Sequence, residues 1–403
     1  MRVLRRRNFW PYFVGSLLSN CGTWFQNIAQ AILVYRLTGS TLLVGVVNFA
    51  QFVGVFVLAP WAGGAADRFD RRALLVVTQV ASVVVTGGLA LLSVEGLASA
   101  PVVMALALLL GLATAFATPA MQAMVADLVV RDELAQAIAL NSLTFNLARA
   151  IGPVAGAVVV ARLGVSAAFG VNAVSFVALI VGLAMVRPVQ HLRGPVERPR
   201  LRESIRLVRE DARLAALLAT VAAIGLSQDP VNTLTPGFSK QIFHRADTLT
   251  GYLVGAAGAG AVLAAVTVAG RGRDPVRRLP VSCAVMGIGI ASFALSPGIG
   301  FAFVGLAIAG FGFLLTNTVA TTALQLEISH EQRGRVMALW SLCFLGTRPL
   351  GSLVDGAIAS VVSLRAAGVV MSLPVLVAAG AMSLHLRRSP RRPPGQSPLG
   401  PGA

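Results

Sequence analysis

Ala139-Leu140-Asn141-Ser142-Leu143-Thr144-Phe145, followed by Arg149 and Gly152, returns about half a chain later as Ala338-Leu339-Trp340-Ser341-Leu342-Cys343-Phe344, followed by Arg348 and Gly351. The spacing from the first alanine to the arginine and to the glycine is the same in both copies. Each copy lies in a long apolar run and places one arginine there. A unit that occurs twice in 403 residues, with a charge where charges are costly, points to a membrane protein built from two related halves around a shared central site.

Composition agrees. The chain is 56% hydrophobic and 12% charged, with mean hydropathy +0.78, whereas soluble domains carry about 25% charged residues. A net charge of +17 invites a nucleic-acid reading, but the arginines sit in short segments flanking apolar runs, so membrane topology explains them and no nucleic-acid partner is expected. The basic start, Met1 to Asn8, precedes an apolar run long enough to span, with no small-residue cleavage site evident. Cys21, Cys283 and Cys343 fall in different apolar runs and form neither a metal spacing nor a disulfide framework.

A helix needs about 20 apolar residues to cross a bilayer. Candidate spans fall at 9–35, 41–64, 73–94, 101–126, 135–161 and 165–186, then at 214–238, 249–269, 279–297, 299–326, 336–360 and 363–386. With the N-terminus in the cytoplasm, most basic residues fall in inside segments, as the positive-inside rule requires. The expected fold is an all-α membrane protein with twelve transmembrane helices in two pseudo-symmetric six-helix bundles, 1–186 and 214–386. A Pro/Arg-rich cytoplasmic linker, 187–213, joins them, and the Pro/Gly-rich tail 387–403 is expected to be disordered and cytoplasmic.

Between the second and third spans lies Gly63-Gly64-Ala65-Ala66-Asp67-Arg68-Phe69-Asp70-Arg71-Arg72. Its glycines let helix ends approach closely, and Asp67 can accept from free N–H groups of a neighbouring helix start. This GxxxDRxxRR spacing resembles the signature loop of the major facilitator superfamily. That family usually has Gly where this chain has Asp70; the acidic variant is similar to the branch of macrolide and siderophore exporters. The resemblance implies that Gly63, Asp67, Arg68, Arg71 and Arg72 latch one half against the other when the cytoplasmic side closes. Asp127, at the inner end of the fourth span, is the expected partner of Arg71 or Arg72. A loop that only sets topology is the alternative.

In the fifth span, Gly152-Pro153-Val154-Ala155-Gly156-Ala157 follows Ala148 at four residues. The small residues make a close-packing face, and Pro153 frees a carbonyl and bends the helix. This resembles the antiporter motif GxxxGPxxGG of exporter subgroups, with alanine at two of its glycine positions. The resemblance implies a face, carried by Gly152, Pro153 and Gly156, that seals the substrate cavity; a generic packing face is the alternative.

Ionisable groups inside a bilayer are rare and usually functional. Arg149 and Arg348 fall near the midplane, Asp229 just before Pro230 in the seventh span, and Asp355 seven residues after Arg348 on the same helix face. Asp229 and then Asp355 are the proton-coupling candidates, because a Pro-interrupted helix beside a carboxylate suits an ion site. Structural ion pairs between helices are the alternative, and Asp355 stands open to a place at the outer rim. Asn20, Trp24 and Asn27 share a face of the first span. With Gln51, Asn232, Arg149 and Arg348 they are the cavity candidates; singly, each amide also serves as glue between helices.

Enzyme signatures are absent, with no Walker loop, nucleophile elbow or HExxH, so neither catalytic residues nor a metal or cofactor is expected. The resemblance and the polar list together imply a monomeric secondary transporter that exports amphipathic drug-, antibiotic- or siderophore-like molecules by proton antiport and alternating access. The two arginines could accommodate an anionic substrate. Lys240 is the single lysine among 33 basic residues, an arginine bias that suggests a high-GC bacterium and hence its plasma membrane, with lipid bilayer, small molecule and protons as partners. Proton-coupled uptake on the same fold, a transport-inactive sensor and a membrane enzyme are the alternatives.

Overall fold

A computed structural model describes residues 3, 6–187, 206, 208–268, 275–328 and 333–388. These residues are helical almost throughout. The first helices are α1 (Trp10–Thr38), α2 (Thr41–Arg68), α3 (Arg71–Val94), α4 (Ala100–Asp127), α5 (Leu134–Leu163) and α6 (Val165–Met185). They are followed by α7 (Ala212–Ser227), α8 (Thr248–Val268), α9 (Pro275–Ala294), α10 (Ile299–Glu327), α11 (Arg333–Val361) and α12 (Leu364–Arg388). The bounds lie within a few residues of the apolar runs. Most of 187–213 and of 387–403 lies outside the described residues.

Local chemistry sets the turns. Gly39 ends α1 at φ +65 and donates its N–H to the Tyr35 carbonyl at 2.8 Å, and Gly164 joins α5 to α6 at φ +88; both conformations favour glycine. Ser40 caps α2 by accepting from Leu43 N–H at 3.3 Å, and Asp211 caps α7 by accepting from Arg213 N–H at 2.8 Å. After Ser227 the regular helix breaks, because Pro230 brings no N–H to the ladder. Two short turns, Pro230–Thr233 and Thr235–Gly237, and a π turn, Phe238–Ile242, continue in its place.

Among the described residues, eight helices are long and apolar enough to cross a membrane: α3, α4, α6, α8, α9, α10, α12 and the broken helix Ala212–Ile242. Their outer faces carry large apolar side chains, among them Val84, Val174 and Phe301, each about two-thirds exposed or more. The buried positions include Gln26, Gln30, Gln79, Asn172, Asp229 and Asp355. Apolar outside and polar inside is stable only with hydrocarbon as solvent. The chain is an all-helical membrane protein.

Packing divides by chain order. α1 lies against α5 and α6, α2 against α4, and α3 against α4 and α6; α8 and α9 pack on α10, α12 on α9, and α7 on α11. The two sets meet through α2 with α11 and α5 with α8. The repeated stretches of sequence occupy α5 and α11. Small residues make the crossings possible: a Cβ at Gly310 would overlap the Ala257 carbonyl, and one at Gly260 the Ala307 carbonyl, where α8 crosses α10. Gly310→Leu is therefore expected to destabilise the protein by about 1–3 kcal/mol, read as a lower unfolding midpoint in detergent; an unchanged midpoint would show that the crossing has slack.

One end of the structure carries residues 6–9, 69–70, 128–133 and 186–187; it is called the near end. Three ion pairs among the described residues there each lie within one set: Arg6–Glu133 and Arg71–Asp127, both 2.8 Å, and Arg213–Glu327, 3.0 Å. Asn8 and Arg187 also clasp at this end. The Asn8 amide donates to the Arg187 carbonyl, and Arg187 N–H donates to Asn8 Oδ1 at 2.9 Å. Contacts between the sets run from the middle to the far end. Arg36 of α1 pairs with Asp247 at 2.8 Å, and Lys240 pairs with the same carboxylate at 3.0 Å. A Cβ on Gly45 of α2 would overlap the Ser352 carbonyl of α11, and one on Gly356 would lie 3.0 Å from Leu42 Cα.

Candidate functional site

The break in the seventh helix places Asp229 at its edge, only 2% exposed. Arg348, reaching across from α11, donates from Nη2 to Asp229 Oδ1 at 3.0 Å. Ser352, one turn further along α11, donates from Oγ to Asp229 Oδ2 at 2.9 Å. With its amide oxygen turned toward the guanidinium, Gln228 accepts from Arg348 Nε and Nη2, the latter at 3.3 Å. Phe52 of α2 presents its ring to the guanidinium at 4.3 Å, a cation–π contact that joins the two sets of helices. Burying two charges is tolerable only with such pairing, and removing one partner leaves the other uncompensated.

Asp355 lies two turns beyond Arg348 on α11 and is fully buried. Asp229 and Thr233 are its polar neighbours, yet neither carboxyl oxygen has a partner at hydrogen-bonding geometry among the described residues. Thr233 in turn accepts from Asn48 of α2 at 3.4 Å.

A cavity opens beside the ion pair. Its polar wall is Gln228, Asn232 and Arg348; Trp24, Met286 and Phe313 line other sides. Asn232 Oδ1 is buried and has no hydrogen-bond partner among the described residues. Trp24 rests on α5, where a Cβ at Gly152 would stand 2.7–2.9 Å from three of its atoms. Four residues on, Gly156 takes Phe25 and Ile28. Ala157 faces the other way and receives Gly251 and Gly255 of α8. The small residues of α5 thus seat α1 on one side and α8 on the other.

The sequence-read candidates separate into groups. Arg348, Asn232 and Trp24 line the cavity, and Asp229 is reached only through its pairing with Arg348. Asn27 and Gln51 bond to each other at 3.1 Å, and Gln51 accepts from Gln30 at 2.9 Å, so these amides tie α1 to α2. Asn20 donates to the Ser16 carbonyl of its own helix at 2.8 Å. The side chains of Arg149, Pro153 and Asp67 lie outside the described residues.

In the loop before α3, Arg71 pairs with the buried Asp127 at 2.8 Å, and Arg72 donates to the Ala184 carbonyl at 3.1 Å. Arg68 is exposed, and the space around a Cβ on Gly63 is open. Asp70 caps α3, accepting from Ala73 N–H at 2.6 Å, so the residue that replaces the usual glycine starts a helix. Arg71→Ala is expected to strand Asp127 and cost about 3–5 kcal/mol. The check is the yield of folded protein from membranes, which Arg71→Ala with Asp127→Asn should restore in part.

Ser352, Gln228 and Phe52 were not among the sequence candidates. Ser352 carries a readable signal, lying one turn from Arg348 on the same face. Gln228 adjoins Asp229 in sequence. Nothing in the sequence marks Phe52, whose role comes from the crossing of α2 and α11.

Lipid-facing helices that enclose paired charges beside a cavity suit a membrane transporter. Residues 2–392 match the model of the family described as transmembrane secretion effector, and the chain belongs to that family. It is 25% identical over 358 residues to the staphyloferrin A transporter of Staphylococcus aureus (strain NCTC 8325 / PS 47), covering 87% of this chain and 89% of the relative. It is also 25% identical over 407 residues to the multidrug efflux pump Tap of Mycobacterium bovis (strain BCG / Pasteur 1173P2), covering 95% of each. Among solved structures it is similar to a bacterial homologue of the human lysosomal transporter Spinster in an inward-facing, unoccupied conformation. The TM-score is 0.75 at 14% identity, over 95% of this chain and 98% of that one. The chain is thus a multi-pass membrane transporter with efflux-pump relatives.

Proposed function

We propose that this protein exports amphipathic small organic molecules by proton antiport, with alternating access to a cavity between two six-helix halves. The observation that carries the reading is the buried Asp229–Arg348 pair at the break of the seventh helix, whose arginine lines the cavity. A proton taken up by Asp229 removes the charge that holds Arg348, and with it part of the tie between α7 and α11. Such an event drives a conformational change only if proton affinity differs between the two states; a pair that is made in one state and broken in the other supplies that difference. Asp355, buried without a hydrogen-bond partner, is the second proton carrier.

The contacts between halves at the far end, with the near-end ion pairs of the described residues lying within halves, support a state closed at the far end and open at the near end. In this reading α1–α12 each cross the bilayer, the halves are 1–186 and 214–386, and the segment 187–213 links them. The near end and both termini face the cytoplasm of a bacterial cell, and the unit is a monomer in its plasma membrane. The loop from Gly63 to Arg72 and Asp127 closes the near end in the alternate state. The lining of aromatic, aliphatic and amide groups suits amphipathic cargo, in keeping with relatives named for a siderophore and for drugs.

The test is accumulation of cargo by energised inside-out vesicles. Candidate cargo comes from comparing compounds retained by cells with and without the protein. Gradient-driven accumulation that collapses with a protonophore supports export; accumulation by intact cells instead selects uptake, and binding without crossing selects a sensor.

A further inference from the structure

We propose that Trp24 is the surface on which the transported molecule lies, and that Gly152 fixes where that surface stands. The proposal rests on the cavity being the transport site and adds the class of cargo: a flat, conjugated or aromatic face with hydrogen-bonding groups at its rim.

The geometry is specific. Trp24 belongs to a helix whose neighbours Gln26, Ile28 and Ala29 are buried, yet it is only partly buried and borders the cavity. A tryptophan used purely for packing is enclosed and finds a partner for its N–H. The indole N–H of Trp24 has no hydrogen bond among the described residues, and one side of the residue is pinned by α5. The pinning is tight at the root of the side chain. A Cβ at position 152 would come within 2.9 Å of Trp24 Cβ and 2.7 Å of Cδ1, so even alanine there must displace the indole. Phe313 adds a second aromatic group to the lining, and the unpartnered Asn232 Oδ1 offers an acceptor. A flat ligand on Trp24 can donate to Asn232 and accept from the indole N–H.

The glycine of the motif in α5 therefore has a function besides close packing: its missing side chain makes room for the platform. Size at position 152 becomes a determinant of which molecules fit.

The test uses the full chain in lipid nanodiscs with Trp10, Trp61 and Trp340 replaced by Phe, so that emission reports Trp24. Two flat probes of opposite charge, ethidium and anthraquinone-2-sulfonate, are titrated, each against a non-planar ion of the same charge, tetrapropylammonium or cyclohexanesulfonate. Saturable quenching by at least one flat probe, not displaced by its non-planar counterpart, is expected. Gly152→Ala should weaken that binding about tenfold. In the native-Trp background Trp24→Ala should do the same, measured by probe fluorescence, whereas Trp24→Phe should retain most of it. The proposal is overturned if neither flat probe quenches saturably, if the non-planar ions compete equally, or if Trp24→Ala binds as the parent does. Binding is read without a gradient, so a protein that binds flat probes but moves nothing would sink the export reading and leave this one standing.

Discussion

Asp229→Asn is expected to abolish proton-driven export while leaving the protein in the membrane at normal abundance. Asparagine keeps the shape: its amide oxygen can still accept from Arg348 and its NH2 can donate to the Ser352 hydroxyl, so the local fold survives. It carries no charge for a proton to cancel, and it leaves Arg348 buried without its anion. Because the amide keeps both hydrogen bonds, the loss of stability stays below the about 3–5 kcal/mol of outright removal of a partner. Export should fall to the level of protein-free vesicles and lose its dependence on the gradient. The measurement is cargo accumulation in inside-out vesicles with and without an imposed proton gradient. A second variant separates coupling from architecture. Asp229→Asn combined with Arg348→Gln restores neutrality; it should recover thermal stability but not gradient-driven export. Recovery of both would reduce the pair to a structural strut.

The second large effect concerns the far end. Gly45 of α2 meets the Ser352 carbonyl of α11 so closely that no side chain fits, and Gly356 meets α2 in return. Gly45→Trp should hold α2 and α11 apart there and drive the population toward the opposite state. A shift from one dominant state to the other takes about 5.5 kcal/mol of differential stability, which a buried indole forced between backbones can approach. Spin labels placed at the far ends of α2 and α11 should report a longer distance in the variant. Export should stop, and cargo binding should remain. An unchanged distance with normal export would mean that the far end never closes as tightly as these contacts imply.

Much of this was legible in the chain because polar groups stand out in apolar runs. The helix bounds, the intramembrane placing of Asp229 and Arg348, and a place for Asp127 beside Arg71 or Arg72 all follow from that contrast. Asp229 and Arg348 were both conspicuous, but their union was not: they are separated by 119 positions, and only the crossing of helices brings them together. Asp355 could have lain at a rim or inside, since depth along a helix does not reveal what surrounds it. The amides of α1 and α2 illustrate the limit from the other side. Asn27 and Gln51 look as available as Asn232, yet they satisfy each other, and satisfaction is a property of register between helices. Asp70 read as a departure from a glycine turn; its capping bond explains why an acidic residue serves there.

The clasp between Asn8 and Arg187 has an evolutionary corollary. Six crossings, as proposed above, return the polypeptide to the face from which it set out, and here its entry and exit are held side by side. Such a cassette can be copied in tandem without rearranging its interior, since the new copy attaches where the old one finishes. The echo of residues 139–152 in 338–351 is what an ancient gene duplication of that kind would leave, after drift had erased the rest.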